Sequence, residues 1–391
     1  MDQCLRRTRL KLRSLLVVSA VSLGLVAALG TEPVTAKTLN AAVGVGPKNS
    51  ITLTIQSFAD YVGKNSDVEI KVFSMSLLNL KETPPGIRDG VADIGFVLTP
   101  YFPAEYAETN LAANLGMLAT KGRRVTSPGA AMAGAMSEYV FNCPGCLAEY
   151  KQQNQVYLGS GVSSNYILLC TTPVRTLDDL KGKKFRSGAA NFSRWAEHFG
   201  GTAVSLPGND QYEAMGQGVI DCTMAAATEL TNYSLFDVTK AVTLRIPGGI
   251  FAGVATNNFN TDVWRGLSVE ERRVVLQASA RSAAELTSRY FRDSLDALAV
   301  APGKGVAVLE PTSEVIAASD AFVEADLGFL AKQFTDDYGL TNAADKIAEF
   351  TRLVDKWKTL TAEIGGDQEA LSKVYWEEIF SKVDPATYGM N

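Results

Sequence analysis

Residues 172–186 read Thr172-Pro173-Val174-Arg175-Thr176-Leu177-Asp178-Asp179-Leu180-Lys181-Gly182-Lys183-Lys184-Phe185-Arg186. Thr176 and Asp179 have the spacing of a helix-capping pair. Gly182 separates this capped turn from a predicted strand at residues 184–187. A short capped turn that leads through a glycine into a strand is typical of the units from which α/β proteins are built.

The chain around this segment continues the same alternation. We predict these further elements: strand 166–170, helix 191–199, strand 203–206, helix 210–217 and strand 219–223. Gly200-Gly201 ends the first of the two helices. Alternating strands and helices favour a mostly parallel sheet with helices on its faces.

An earlier part of the chain repeats this order. We predict strand 38–45, a helix that is capped by Asn49 or Ser50 and ends at Gly63, strand 68–72, a short helix at 85–90 and strand 93–98. The two parts contain a similar short motif. Residues 89–94 (DGVADI) match residues 217–222 (QGVIDC), and each places a glycine between a helix end and a strand. A matched pair of α/β lobes with a cleft between them is the simplest interpretation.

The chain beyond residue 255 is strongly helical. Ser268 and Glu271 form a second capping pair, and apolar residues then keep helical spacing for about thirty residues, long enough to cross both lobes. Residues 306–309 are a predicted returning strand, and residues 319–382 are predicted amphipathic helices. We assign residues 37–164 with about 252–300 to lobe I, and residues 165–251 with about 301–391 to lobe II.

The first 36 residues have the pattern of a signal peptide for export. Five basic residues lie before an apolar stretch at residues 15–29, and the small residues Val34-Thr35-Ala36 follow it. The apolar stretch is shorter than the roughly 20 residues of a membrane-spanning helix. Arg6-Arg7 faintly resembles a twin-arginine signal, but Arg9 stands where an apolar residue is usual, which favours ordinary export. Removal takes the formal net charge from −5 to −8 and predicts a periplasmic protein.

The composition argues against several classes of function. A pI near 5.2 argues against a nucleic-acid-binding protein. A single histidine, His198, disfavours histidine-dependent hydrolases and excludes a multi-histidine metal site. The sequence also lacks the Gly-x-Ser-x-Gly, Walker A and HExxH motifs. We therefore expect a protein that is not an enzyme and that carries neither a cofactor nor a metal.

Four cysteines follow the signal segment. Cys143 and Cys146 enclose only Pro144-Gly145, and in an oxidising compartment they could form a local disulfide. A redox-active pair would be expected to open a helix after a strand, a context that Phe141-Asn142 does not supply. Cys170 and Cys222 could simply be core residues.

At this point the sequence resembles the DctP family, the solute-binding proteins of tripartite ATP-independent periplasmic (TRAP) transporters. The resemblance rests on residues 172–186, Gly200-Gly201, Tyr212-Glu213-Ala214 with Gly218 and Asp221, and Asn258 with residues 264–268, in family order and spacing. It implies a two-lobed α/β periplasmic binding protein fold, type II-like, with a long helix spanning both lobes. It also implies capture of a small organic acid in the cleft and delivery to the membrane permease subunits of the transporter. We expect a monomer.

The resemblance implies that Arg186 pairs with the ligand carboxylate, and its position supports the same role. Arg186 lies near the carboxyl end of a predicted parallel strand, just before a helix N-terminus, and α/β crevices bind ligands at such ends. A planar guanidinium can donate two parallel hydrogen bonds to a carboxylate. The alternative is a solvated arginine in the basic run 181–186. Further candidates at strand ends and in the cleft are Asn191, Thr223, Met224, Thr99, Tyr101 and Phe251.

The sequence departs from the family at two cleft positions. Many relatives carry a second arginine where this chain has Tyr166, and an asparagine where it has Ala225. Fewer polar groups remain to hold a doubly charged or polyhydroxylated acid. We expect a monocarboxylate with an apolar or aromatic body, or an unusual polar acid held by groups that the pattern does not identify. A ligand-binding component of a sensory system remains an alternative, and a periplasmic enzyme is a weaker one.

Overall fold

The computed structural model describes residues 37–122 and 124–391. The predicted signal peptide, residues 1–36, lies outside the described residues. Among the described helices, none is both long enough and apolar enough to cross a bilayer.

The described chain alternates strands and helices and then becomes helical. The strands are β1 (Lys37–Val43), β2 (Val68–Ser74), β3 (Ile94–Leu98), β4 (Gln155–Val156), β5 (Ser160–Gly161), β6 (Asn165–Cys170), β7 (Lys184–Ser187), β8 (Thr202–Ser205), β9 (Cys222–Ala226), β10 (Ala241–Ile250), β11 (Val254–Asn260) and β12 (Ala307–Leu309). The helices are α1 (Ser50–Asn65), α2 (Thr83–Arg88), α3 (Ala107–Ala113), α4 (Pro128–Phe141), α5 (Pro144–Gln152), α6 (Leu177–Leu180), α7 (Ala190–His198), α8 (Gln211–Gly216), α9 (Glu229–Asn232), α10 (Thr261–Arg265), α11 (Val269–Val300), α12 (Ser313–Tyr338), α13 (Ala343–Leu360) and α14 (Gln368–Glu378).

The first sheet has the order β2-β1-β3-β11-β4, and β5 pairs with β11. β1 runs parallel to β2 and β3, as the alternation of strands and helices predicts, whereas β11 returns antiparallel to β3. α1 begins where Asn49 accepts a hydrogen bond from the Ile51 amide, and its apolar face packs Ile55, Phe58 and Val62 into the core. The helix runs through Gly63 to Asn65, two residues beyond the predicted end.

The second sheet has the order β12-β10-β6-β9-β7-β8. β7 is parallel to β8 and β9, and α6 before it begins with the predicted capping box of Thr176 and Asp179. β6 is antiparallel to both of its neighbours, which the simple strand–helix–strand interpretation does not predict. The two sheets and their covering helices confirm the two-lobed α/β fold class.

Two connecting segments and one long helix join the sheets. Residues 162–164 connect β5 to β6, and residues 251–253 connect β10 to β11. The segments are hydrogen-bonded to each other, since the Phe251 amide donates to Ser163 Oγ at 2.9 Å. Gly253 has φ +77°, and a Cβ there would lie 2.7 Å from Thr99 Oγ1, so this connection requires glycine. α11 begins at the predicted capping box of Ser268 and Glu271.

The C-terminal helices are anchored on α3 and α4. On α13, Trp357 Nε1 donates to Glu138 at 2.7 Å, and Lys346 pairs with Glu108 at 2.7 Å. Tyr375 on α14 donates to the Ala130 carbonyl at 2.7 Å. These contacts tie residues 343–378 to helices that follow β3 of the first sheet, while the division of the chain into lobes I and II stays a prediction.

Two disulfides lie in the core. Cys143 is bonded to Cys146 at the start of α5, the local pair singled out in the sequence. Cys170 is bonded to Cys222 across the antiparallel pair β6–β9, where the two residues are direct register partners. The sequence alone does not predict this second disulfide, because the adjacency of the two cysteines depends on strand pairing over a separation of 52 residues.

Candidate functional site

Arg186 lies near the carboxyl end of β7, and its side chain is turned into the space between the two sheets. The residue is only 3% exposed. Its Nε donates to the Leu206 carbonyl at 2.9 Å, and its Nη2 donates to the Tyr101 hydroxyl at 3.1 Å. Tyr101 follows β3 of the first sheet, so this contact links the two halves of the fold. A guanidinium has five N–H donors, and these two bonds do not exhaust its capacity to bind a carboxylate.

Arg186 remains a cation in this setting. Burial by itself lowers the pKa of Arg186, but Tyr101, Tyr166, Tyr233 and Glu229 outweigh it and leave that pKa above its usual value. A buried cation of this kind attracts an anion strongly, because the surrounding protein screens charge less than water does.

Gly188 leaves room for the guanidinium. A Cβ at this position would lie 3.0 Å from Arg186 Nη2 and 3.2 Å from Phe251 Cε2. Both distances are tighter than ordinary contacts, so any larger residue would press on the arginine. Gly188 therefore helps to hold Arg186 in place.

A cavity of about 50 Å³ lies beside Arg186. Its wall is mostly apolar and aromatic, with a few polar side chains at defined points, as is usual for small-molecule sites. The aromatic part includes Tyr166, which stacks on Phe192 at 4.5 Å and on Phe251 at 5.9 Å between ring centroids. The lining residues are Ile51, Phe96, Leu98, Tyr101, Val162, Ser163, Tyr166, Arg186, Gly208, Gln211, Ala225, Glu229, Tyr233, Phe251, Val254, Leu286 and Tyr290.

The cavity brings together five of the predicted site residues, which are Arg186, Tyr166, Ala225, Tyr101 and Phe251. The other four lie outside its lining. Thr223 donates to Gln211 Oε1 at 2.8 Å, and Met224 is buried in the core. Thr99 donates to the Gly253 carbonyl at 3.0 Å, beside the connection between β10 and β11. Asn191 is buried in the first turn of α7, and neither polar atom of its side chain has a hydrogen-bond partner among the described residues.

Sequence reasoning missed several polar residues of the cavity wall, chiefly Glu229, Tyr233, Tyr290 and Gln211. Tyr290 comes from α11, more than a hundred residues along the chain from Arg186, and no local pattern indicates that meeting. Glu229 did carry a signal. It is the one charged residue in the run Cys222-Thr-Met-Ala-Ala-Ala-Thr-Glu-Leu230, and an isolated charge in an apolar segment marks a buried polar group.

Metal ligation has no support in the described residues. They contain no cluster of three or more His, Cys, Asp or Glu side chains that could hold an ion. His198 lies at the exposed end of α7, where its ring contacts Phe199 and Phe322 at 4.9 and 5.2 Å. What the cavity offers instead is one fixed cation, one buried carboxyl group and an aromatic wall, which suits binding of an organic anion.

Solved structures share this fold over most of the described chain. A marine metagenome TRAP solute-binding protein specific for aromatic acid ligands, in complex with metahydroxyphenylacetate, superposes with a TM-score of 0.71 at 20% identity, covering 82% of this chain and 99% of its own. An extracytoplasmic solute receptor from Bordetella pertussis that binds pyroglutamic acid gives 0.68 at 16% identity, covering 82% and 100%. A TRAP periplasmic solute-binding protein from Bordetella bronchiseptica, with bound (R)- and (S)-mandelate, gives 0.68 at 20% identity, covering 82% and 99%.

Sequence comparison agrees with the fold. A curated solute-binding protein from Albidiferax ferrireducens is 25% identical over 170 residues, which are 44% of this chain and 48% of the relative, so the match spans about half of that relative's length. The family model described as bacterial extracellular solute-binding protein, family 7 (DctP), matches residues 42–333. That match covers well over half of the chain, and the protein therefore belongs to the DctP family of bacterial extracellular solute-binding proteins.

Proposed function

We propose that this protein captures a small monocarboxylate with an apolar or aromatic body between its two sheets, in the periplasm. It then delivers the acid to the membrane permease of a TRAP transporter. The observation that carries the proposal is the placement of Arg186. It is a buried cation whose two hydrogen bonds do not use all of its N–H donors, and it lines an aromatic cavity between the halves of the fold.

The cavity wall supports a single carboxylate rather than two. Arg186 is its one cationic lining residue in the described chain. The family resemblance of the sequence further places Tyr166 and Ala225 where many relatives carry an arginine and an asparagine. A second carboxylate on the ligand would lose its water shell without gaining a cationic partner. Structural neighbours that bind metahydroxyphenylacetate, mandelate and pyroglutamic acid all have ligands with one carboxylate, which fits the same class.

The test is a thermal-shift and calorimetric screen of carboxylates on the wild type and on Arg186→Ala. A ligand that binds only the folded protein at a hundredfold excess over its Kd stabilises it by about 2.7 kcal/mol, enough to move the midpoint visibly. We expect monocarboxylates such as 3-hydroxybenzoate or mandelate to produce this shift, and Arg186→Ala to abolish it. Arg186→Lys keeps the charge but not the paired donors, and should bind weakly.

Arg175→Ala is the matched control. Arg175 belongs to the same segment, residues 172–186, but is exposed, and its Nε donates to the Glu310 carbonyl at 2.9 Å. This variant should bind acids as the wild type does. Retention of the full shift by Arg186→Ala would refute the assignment of the carboxylate site, and tight binding of a dicarboxylate or sialic acid would refute the ligand class.

A further inference from the structure

Glu229 places a carboxyl group in the same cavity as the cation of Arg186. It opens the short helix α9, three residues after β9 ends, and is only 7% exposed. Its Oε1 accepts a hydrogen bond from the Tyr290 hydroxyl of α11 at 3.0 Å. The short connection from β9 places Glu229 at the cavity wall, and the hydrogen bond from Tyr290 of α11 holds its side chain there.

The second oxygen of Glu229 lacks a partner. Oε2 is buried and makes no hydrogen bond among the described residues, and the amide nitrogen of the nearby Asn232 is likewise unpaired. Buried polar atoms are nearly always hydrogen-bonded, and leaving one unpaired costs roughly 1–3 kcal/mol. Because Glu229 lines the cavity, a molecule held there can supply the missing donor.

The raised pKa of Glu229 is consistent with a carboxyl group that lacks a hydrogen-bond donor. Burial raises the pKa of Glu229 to about 7, although the hydrogen bond from Tyr290, the nearby amide of Asn232 and the charge of Arg186 oppose the rise. A donor from a bound molecule would stabilise the ionised carboxylate, which the protein alone solvates poorly.

We propose that Glu229 is a second ligand-binding residue, and that it accepts a hydrogen bond from a hydroxyl or N–H group of the captured acid. This inference rests on the proposed function, because it takes the ligand carboxylate to lie on Arg186. The substrate class then narrows to monocarboxylates that also carry a hydrogen-bond donor. Dicarboxylates are rejected, because a second carboxylate would face the oxygen of Glu229 instead of a donor. Ala225, four residues earlier, lines the same cavity.

Matched pairs of acids that differ by the donor test this inference by calorimetry. The pairs are 3-hydroxybenzoate with benzoate, mandelate with phenylacetate, and pyroglutamate with N-methylpyroglutamate, so that hydroxyl and N–H donors are separated. We expect the wild type to bind the donor-bearing member of at least one pair about tenfold more tightly. Glu229→Leu should reduce that preference to about onefold, and Glu229→Gln, which keeps an acceptor oxygen, should retain most of it.

Glu285→Leu is the matched control, because Glu285 is also a buried glutamate but bonds to Ser57 and Arg289 outside the cavity. Its preference should equal that of the wild type. If Glu229→Leu keeps the wild-type preference, or the wild type has none in any pair, the inference is wrong while the carboxylate site on Arg186 stands. If no acid of any pair binds the folded wild type, the proposed function fails and the inference falls with it.

Discussion

At the scale of single residues, the proposed binding site depends on one position that has no side chain. Gly188 follows β7, and a Cβ there would press on both Arg186 Nη2 and Phe251. We predict that Gly188→Ala weakens binding of 3-hydroxybenzoate or mandelate by about threefold to tenfold, because a shift of a few tenths of an ångström spoils a paired hydrogen bond to a carboxylate. Calorimetry measures the change, and net charge is unaltered.

Gly303→Ala provides the comparison for this prediction. Gly303 lies after α11, and a Cβ added there would meet nothing within 4 Å. It should leave affinity unchanged. Equal affinities in the wild type and Gly188→Ala would mean that the guanidinium has more freedom than its close contacts indicate.

The residue scale also separates what the sequence could predict from what it could not. The sequence predicts Arg186, Tyr101 and Phe251 as site candidates because strand ends and crossover points follow from the order of elements. Glu229 was missed because its partners, Tyr290 and Arg186, come from other elements. Tertiary packing alone decides that a glutamate on a four-residue helix turns inward.

At the scale of elements, the predicted and observed bounds of β9 differ by three residues, and this difference changes which residue of the strand lines the cavity. The sequence placed this strand at residues 219–223, but it spans Cys222–Ala226. Gly218 adopts φ +69°, and the chain needs three more residues to turn before it joins the sheet. Thr223 and Met224 are therefore interior strand residues, and Ala225, nearer the carboxyl end, is the one that lines the cavity.

A second feature at this scale is the capping of α3 by a carboxyl group from α5. Glu149 accepts hydrogen bonds from the Glu108 and Thr109 amides at 2.5 and 3.1 Å, the free amides of the first turn. Burial nevertheless raises the pKa of Glu149 from 4.5 to about 7. Between these values the folded chain keeps a proton that the unfolded chain has lost, so the stability contribution of this group falls as pH rises.

We predict that Glu149→Gln removes this dependence. Between pH 5 and 7 the wild type should lose about 1–2 kcal/mol of unfolding free energy relative to the variant, less than the full shift implies because the carboxyl group keeps some solvent contact. Urea unfolding at the two pH values measures it. Glu363→Gln, at an exposed glutamate, controls for the loss of charge. Parallel stability profiles for the wild type and Glu149→Gln would contradict the prediction.

At the scale of the whole molecule, a few hydrogen bonds hold the two halves together around the cavity. Tyr101 accepts from the Gly208 amide at 3.0 Å as well as from Arg186. Asn209 Nδ2 donates to the Gly44 carbonyl after β1 at 2.9 Å, and the Ser50 amide donates to Asn232 Oδ1 at 3.1 Å. These bonds join residues that follow β1 and β3 of the first sheet to residues of the second half of the fold, and we infer that an opening that releases a ligand breaks them.

Asn209 offers the clearest test, because it does not line the cavity in which we propose that the acid binds. Loss of one hydrogen bond worth about 0.5–1.5 kcal/mol should make 3-hydroxybenzoate dissociate from Asn209→Ala about threefold to tenfold faster, with a smaller change in the association rate. Stopped-flow fluorescence measures both rates. Asn142→Ala removes a similar bond, from Nδ2 to the Glu138 carbonyl at 2.8 Å, far from the cleft, and should release the acid at the wild-type rate. Identical dissociation rates for all three proteins would show that the contact between the halves does not control release.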